Sequence, residues 1–156
     1  MKPSIWKPTL LATMVCGTLD AIYPTALTML RGKDPAAMWR GVASGPFPGA
    51  SEWGAAGTTV GLITHFILMG IIAAVFMLAA RARPSLVDRP WLAGVGYGLL
   101  TYVVMNLVVV PLRFGTPLPP PPQAILSQLF AHIVLVGIPI ALIAARYLRP
   151  NRHEAR

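Results

Sequence analysis

Four long apolar runs, broken by short polar stretches, dominate the chain. They cover about residues 8–30, 55–80, 91–112 and 123–146. Each is longer than the ~18 to 20 residues a helix needs to cross a hydrocarbon core of ~30 Å. Inside lipid every backbone amide must bond within the structure, which predicts helices here. No ten-residue alternation of apolar and polar positions suggests a barrel. The expected fold class is therefore all-α: an integral membrane bundle of four transmembrane helices, forming one membrane domain over 1–156.

The breaks differ in character. Residues 31–54 form the long one. Within it Asp34 precedes Pro35, a helix-start pairing, so a short surface helix with Trp39 at the membrane interface is expected. Gly45–Gly49, GPFPG, ends it. The break 113–122 contains Pro119–Pro122, four consecutive prolines that favour a stiff polyproline spacer feeding the fourth helix.

Polar residues inside the runs are few, and their depths agree. Asp20 falls near the middle of the first run. His65 lies about ten residues from one end of the second, and His132 about nine from the corresponding end of the fourth. At 1.5 Å rise per residue, the two histidines lie roughly 14 to 15 Å in from that end. Asn106 lies nearer the end of the third run, and Gln128 stands four before His132. Gly61 stands four before His65, while Cys16, Gly17 and Tyr23 flank Asp20. Gly57 with Gly61, and Gly94 with Gly98, have the GxxxG spacing that lets helices approach closely. This pattern predicts a shared interior cluster of Asp20, His65, Asn106, Gln128 and His132. Two functions fit it: a working site, or interhelical glue worth ~0.6 kcal/mol per contact.

Composition supports the membrane assignment. Hydrophobic residues make up 55% and charged residues 12%, about half the charge of a typical soluble domain. The net charge of +8 could suggest nucleic acid, but the basic residues lie in the breaks between runs, and no nucleic-acid partner is expected. The side holding both termini carries Lys2, Lys7, Arg81, Arg83, Arg89, Arg146, Arg149, Arg152 and Arg156. The other side carries Arg31, Lys33, Arg40 and Arg113. Nine against four predicts cytoplasmic termini. The first run has a basic start, but its apolar character resumes past Asp20 and no small-x-small cleavage site stands out. A retained helix is expected rather than a cleaved signal. Cys16 reads as a small buried residue.

Three chemistries are open to the cluster. His65 and His132 could bind a haem b iron axially. His65, His132 and Asp20 could hold zinc or copper, although no HxxxH or HxH spacing supports it. A histidine beside a carboxylate could also handle protons near neutral pH. GVGYG, Gly94–Gly98, resembles a potassium-filter signature but lies inside the third run with no pore helix before it, and reads as a close-packing helix start. No Walker loop, nucleophile elbow or HExxH is present.

The ITHFIL stretch of the second run resembles the THxxF-type helix of the YagU-like bacterial inner-membrane proteins. The block from Val108 to Arg149 is similar to their last third: a Pro-Leu step at Pro111, a Thr-Pro loop at Pro117, and a final helix with His132 before a basic tail. The resemblance covers about half the chain and implies a multi-pass inner-membrane protein linked to acid tolerance. The expected function is a small non-enzymatic membrane protein with a buried polar cluster, acid- or stress-related or proton-handling. The alternatives are a bis-histidine haem b redox subunit and a structural or assembly subunit. The partners expected are the lipid bilayer and either further copies of the chain or a larger membrane complex.

Overall fold

A computed structural model describes residues 4–149; Lys2, Arg152 and Arg156 of the charge tally lie outside them. The four apolar runs form the four spanning helices: α1 (Trp6–Leu30), α3 (Gly54–Ala82), α5 (Pro90–Phe114) and α6 (Pro122–Leu148). Each is apolar and long enough to cross a bilayer, with mean hydropathy from 1.4 to 2.5. Their outward faces carry large apolar side chains such as Ile22, Ile67, Leu100 and Leu126. Such a surface suits acyl tails and would be a liability in water. The protein is an all-α bundle of four membrane-length helices, with two short helices, α2 (Pro35–Ala43) and α4 (Ser85–Asp88), in the connections.

The packing order around the bundle is α3, α1, α6, α5. Helix α1 lies between α3 and α6, and α5 packs along α6. Two glycines on α5 set that last contact. A Cβ on Gly98 would lie 2.6 Å from the Ile133 Cα, and one on Gly94 would lie 2.6 Å from the Ile138 Cα. The Gly94–Gly98 pair therefore brings the two backbones together at the level of His132, as its spacing predicts.

The other GxxxG pair has a different partner. Gly57 and Gly61 face the break 31–54, not a spanning helix. A Cβ on Gly61 would overlap the Trp39 carbonyl, and one on Gly57 the Ala50 carbonyl. Helix α2 lies in this seat. Asp34 caps it, accepting from the Ala36 amide at 2.8 Å and the Ala37 amide at 3.1 Å, and Pro35 occupies the first turn. At its other end Arg113 donates through Nε to the Gly45 carbonyl (2.6 Å) and through Nη2 to the Ser44 carbonyl (2.7 Å). The helix forms where the Asp-Pro pair predicts, but Trp39 is not an interfacial anchor. Its side chain is buried, and the indole Nε1 donates to Thr25 Oγ1 on α1 at 3.2 Å.

Neither α5 nor α6 is α-helical throughout. Val103–Val109 and Ala131–Gly137 form wider π-helical turns. Each ends two residues before a proline inside its span, Pro111 and Pro139. A proline ring collides with the carbonyl four residues earlier and offers no amide. Widening the preceding turn relieves both problems.

At the end of the bundle that carries the termini, the core is closed. Cys16, Phe76, Met77, Val136, Ile140 and Ala144 pack there with almost no exposure. Cys16 is free and buried, as expected of a small apolar filler. Arg149 fastens α6 to α4, donating through Nη2 to the Val87 carbonyl at 2.6 Å.

Candidate functional site

The bundle is open at the half nearer α2. All five polar residues singled out from the sequence (Asp20, His65, Asn106, Gln128 and His132) line one cavity of about 260 Å³ there. Four helices contribute: Asp20 from α1, His65 from α3, Asn106 from α5, and Gln128 and His132 from α6. Both imidazoles face this common space.

His65 is held from three sides. Its Nε2 meets the Gly17 carbonyl of α1 at 2.9 Å, where the ring nitrogen must be the donor. Its Nδ1 lies 4.0 Å from Asp20 Oδ2, with side-chain exposures of 13% and 21%. The rings of Trp39 and Phe66 meet it edge-on, each with centroids 5.4 Å away. Gly61 makes this possible: by admitting the α2 backbone one turn above, it brings the Trp39 ring onto His65. Gly17 does the same on α1, where a Cβ would strike the Phe66 ring at 2.7 Å.

The tautomer follows from these partners. With Nε2 donating to Gly17, a neutral His65 presents a lone pair at Nδ1. An ionised Asp20 presents another. Two acceptors then face each other, and one added proton turns the repulsion into an attractive contact.

His132 is set differently. Its Nδ1 donates to the Gln128 carbonyl one turn earlier, at 2.9 Å, and the Tyr102 ring meets it at 6.1 Å with an interplanar angle of 82°. Its Nε2 has no hydrogen-bond partner among the described residues, and no side-chain polar atom there is both fully buried and unpartnered. Nε2 is therefore not sealed in the packing, and His132 lines the cavity. Asn106 lines the same space, but among the described residues no hydrogen bond joins it to either histidine.

The fit to a haem or a metal can be tested on the donor set. A bis-histidine haem needs one free nitrogen on each ring, facing a shared iron. His132 offers one, with its other nitrogen held by a carbonyl as metal-ligating histidines usually are. On His65, Nε2 is bonded to Gly17 and Nδ1 faces Asp20. Among the described residues, no three of His, Cys, Asp and Glu converge to hold one ion.

Two further spaces adjoin the cavity. One, of about 650 Å³, lies between α1, α2 and α6 at the α2 end, lined by Tyr23, Arg31, Gln123 and Ser127 among others. It shares Gln128 with the cavity. The other is an apolar cleft of about 550 Å³ between α3 and α5, roofed by Val42 to Phe47. It shares Val42, Leu68, Met105 and Val110 with the cavity. Met105 and the Gly17 carbonyl were not singled out from the sequence, and Trp39 was expected at the interface, not against His65. Gly17, at three before Asp20, was the one available hint.

No family model matches the chain, and no match is found among curated proteins or solved structures.

Proposed function

We propose that this small multi-pass membrane protein is a non-enzymatic proton-responsive protein of the bacterial inner membrane, with its termini in the cytoplasm. The observation that carries the reading is the His65 Nδ1 to Asp20 Oδ2 approach of 4.0 Å inside a polar cavity. Histidine is the side chain whose ordinary titration falls between about pH 5 and 8. Intramembrane ionisable groups usually mark a site. The surroundings favour binding of a proton over its passage. Polar space leads from the cavity past Gln128 toward the α2 end, while Cys16, Phe76, Met77 and Ile140 fill the other half. A site reached from one side acts as a sensor. The resemblance to the YagU-like proteins adds acid stress as the setting, with the nine-to-four basic bias supporting the orientation.

Infrared difference spectroscopy on the protein in lipid nanodiscs tests this. Stepping the pH between about 8 and 5 should change a carboxyl band that is missing in Asp20→Asn and altered in His65→Gln. A spectrum with no Asp20-dependent band across that interval would end the reading.

A further inference from the structure

The apolar cleft and the polar cavity share a wall, and the shared residues are apolar: Val42, Leu68, Met105 and Val110. A molecule lying across them would have one end among Asp20, His65, Asn106, Gln128 and His132. Its other end would lie between α3 and α5 against Ile67, Val109 and Phe114. Ligand sites commonly combine an apolar lining with a few convergent polar groups in this way.

The polar end is defined by what it must satisfy. His132 uses Nδ1–H on the Gln128 carbonyl, so its open Nε2 accepts a hydrogen bond and wants a hydroxyl. Asn106 and Gln128 carry amides that can donate to an oxygen. The carboxyl of Asp20 disfavours an anionic head. An engineered cavity of about 150 Å³ takes a benzene ring, so 260 Å³ takes one substituted ring and not two. The apolar end needs a hydrocarbon chain, since the cleft's lining is almost wholly apolar. The open flank between α3 and α5 also gives access from within the bilayer.

We propose that the cavity and the cleft form one binding site for a lipid-soluble molecule with a hydroxylated single-ring head and a hydrocarbon tail, of the hydroquinone class. The head donates to His132 Nε2 and accepts from the Asn106 or Gln128 amide. The tail lies along Leu68 and Met105 and out past Val109. The inference is one of binding alone. It rests on the reading of this cavity as a working site, but not on its proton chemistry.

The test uses the full chain in nanodiscs, with Trp39 fluorescence as the reporter, because that ring contacts His65. Trp6, Trp53 and Trp91 are replaced by Phe to leave Trp39 alone. Three probes share a decyl chain: a hydroquinone, its dimethyl ether, and decylbenzene. The hydroquinone should bind at least about tenfold more tightly than the ether, the worth of roughly one hydrogen bond of 1.4 kcal/mol. His132→Ala should remove that difference, and Met105→Phe should weaken all three probes by filling the shared wall. Equal affinity for hydroquinone and ether in the unmutated background would overturn the proposal without relying on any cavity variant. So would hydroquinone binding that Met105→Phe, folded by circular dichroism, leaves unchanged. Failure of the proton reading shows separately, as a missing Asp20 infrared band alongside intact probe binding.

Discussion

His65 Nε2 and the Gly17 carbonyl meet at 2.9 Å across the α1–α3 contact. This single bond decides the imidazole tautomer and so what faces Asp20. A helix carbonyl normally serves its own helix; here its second lone pair also orients a side chain from a neighbour. The lack of a Cβ at Gly17 lets the Phe66 ring, next to His65 in the chain, come this close.

Loss of His65 should therefore be felt twice, through its bond to Gly17 and through the isolation of Asp20. His65→Leu is expected to cost on the order of 1 kcal/mol, the scale of interhelical hydrogen bonds in bilayers. Asp20→Asn in the same chain should recover part of that loss. A double-mutant cycle from detergent unfolding measures the coupling, and strict additivity would show that the two side chains act independently.

Substitutions at glycine should separate by position. Gly98→Ala places a methyl against His132 and Ile133 backbone atoms, whereas a Cβ on Gly96, two residues away, meets nothing within 4 Å. The first should destabilise by about 1 to 3 kcal/mol through overpacking. The second should fall within roughly 0.5 kcal/mol of neutral or be slightly stabilising. Thermal melts in one detergent compare them directly; equal effects would contradict the close contact.

The seat of α2 should depend on Arg113. Arg113→Ala frees the Ser44 and Gly45 carbonyls and should loosen the end of α2. A Ser44→Cys reporter then reacts several-fold faster with a water-soluble maleimide, against a quiet background because Cys16 is buried. Lysine should rescue poorly, since it lacks the two-pronged guanidinium. Unchanged labelling in Arg113→Ala would show that α2 keeps its seat without the Arg113 bonds.

Acid should release the other end of α2. The Ala36 amide, followed by the Ala37 amide and Arg40, holds the Asp34 carboxyl below its ordinary value of 3.8, against a smaller opposing effect of desolvation. A native value below the unfolded one means that the unfolded state binds more protons in between. The cap's contribution is then complete above 3.8 and is lost as pH falls through the depressed native value. Hydrogen exchange at Ala36 and Ala37 should accelerate over that acid interval. In Asp34→Ala it should already be fast at neutral pH.

What could be read from the residue order differs from element to element. The spans were legible because hydrocarbon admits no unpaired amide, so length and apolarity suffice. The α2 start was legible because Asp and Pro act locally. The burial of Trp39 was not, since it depends on Gly57 and Gly61 accepting a backbone from outside the spans. GxxxG announces close approach without naming the visitor. The five polar residues could be grouped by depth, which a fixed rise per residue supplies. Depth gives height and not direction around the axis. Within the widened turns before Pro111 and Pro139 the angular count shifts, and Asn106, in the first of them, lines the cavity without bonding either histidine. The occupants of each ring nitrogen required coordinates, because one of them is the main chain of another helix.

The packing order α3, α1, α6, α5 also bears on how the chain is made. Helices α1 and α3 emerge first, and the α2 segment between them finds its glycine seat as soon as α3 has left the translocation machinery. The tautomer-fixing bond from His65 to Gly17 can thus form before α6 has been inserted. Helix α5 emerges next but has its main contact with α6, which comes last. It must wait in lipid as a lone span until Gly137 arrives opposite Gly94 and Gly98. The polar chamber is therefore walled on its α1 and α3 sides early in translation, and receives Gln128 and His132 only at the final step of assembly.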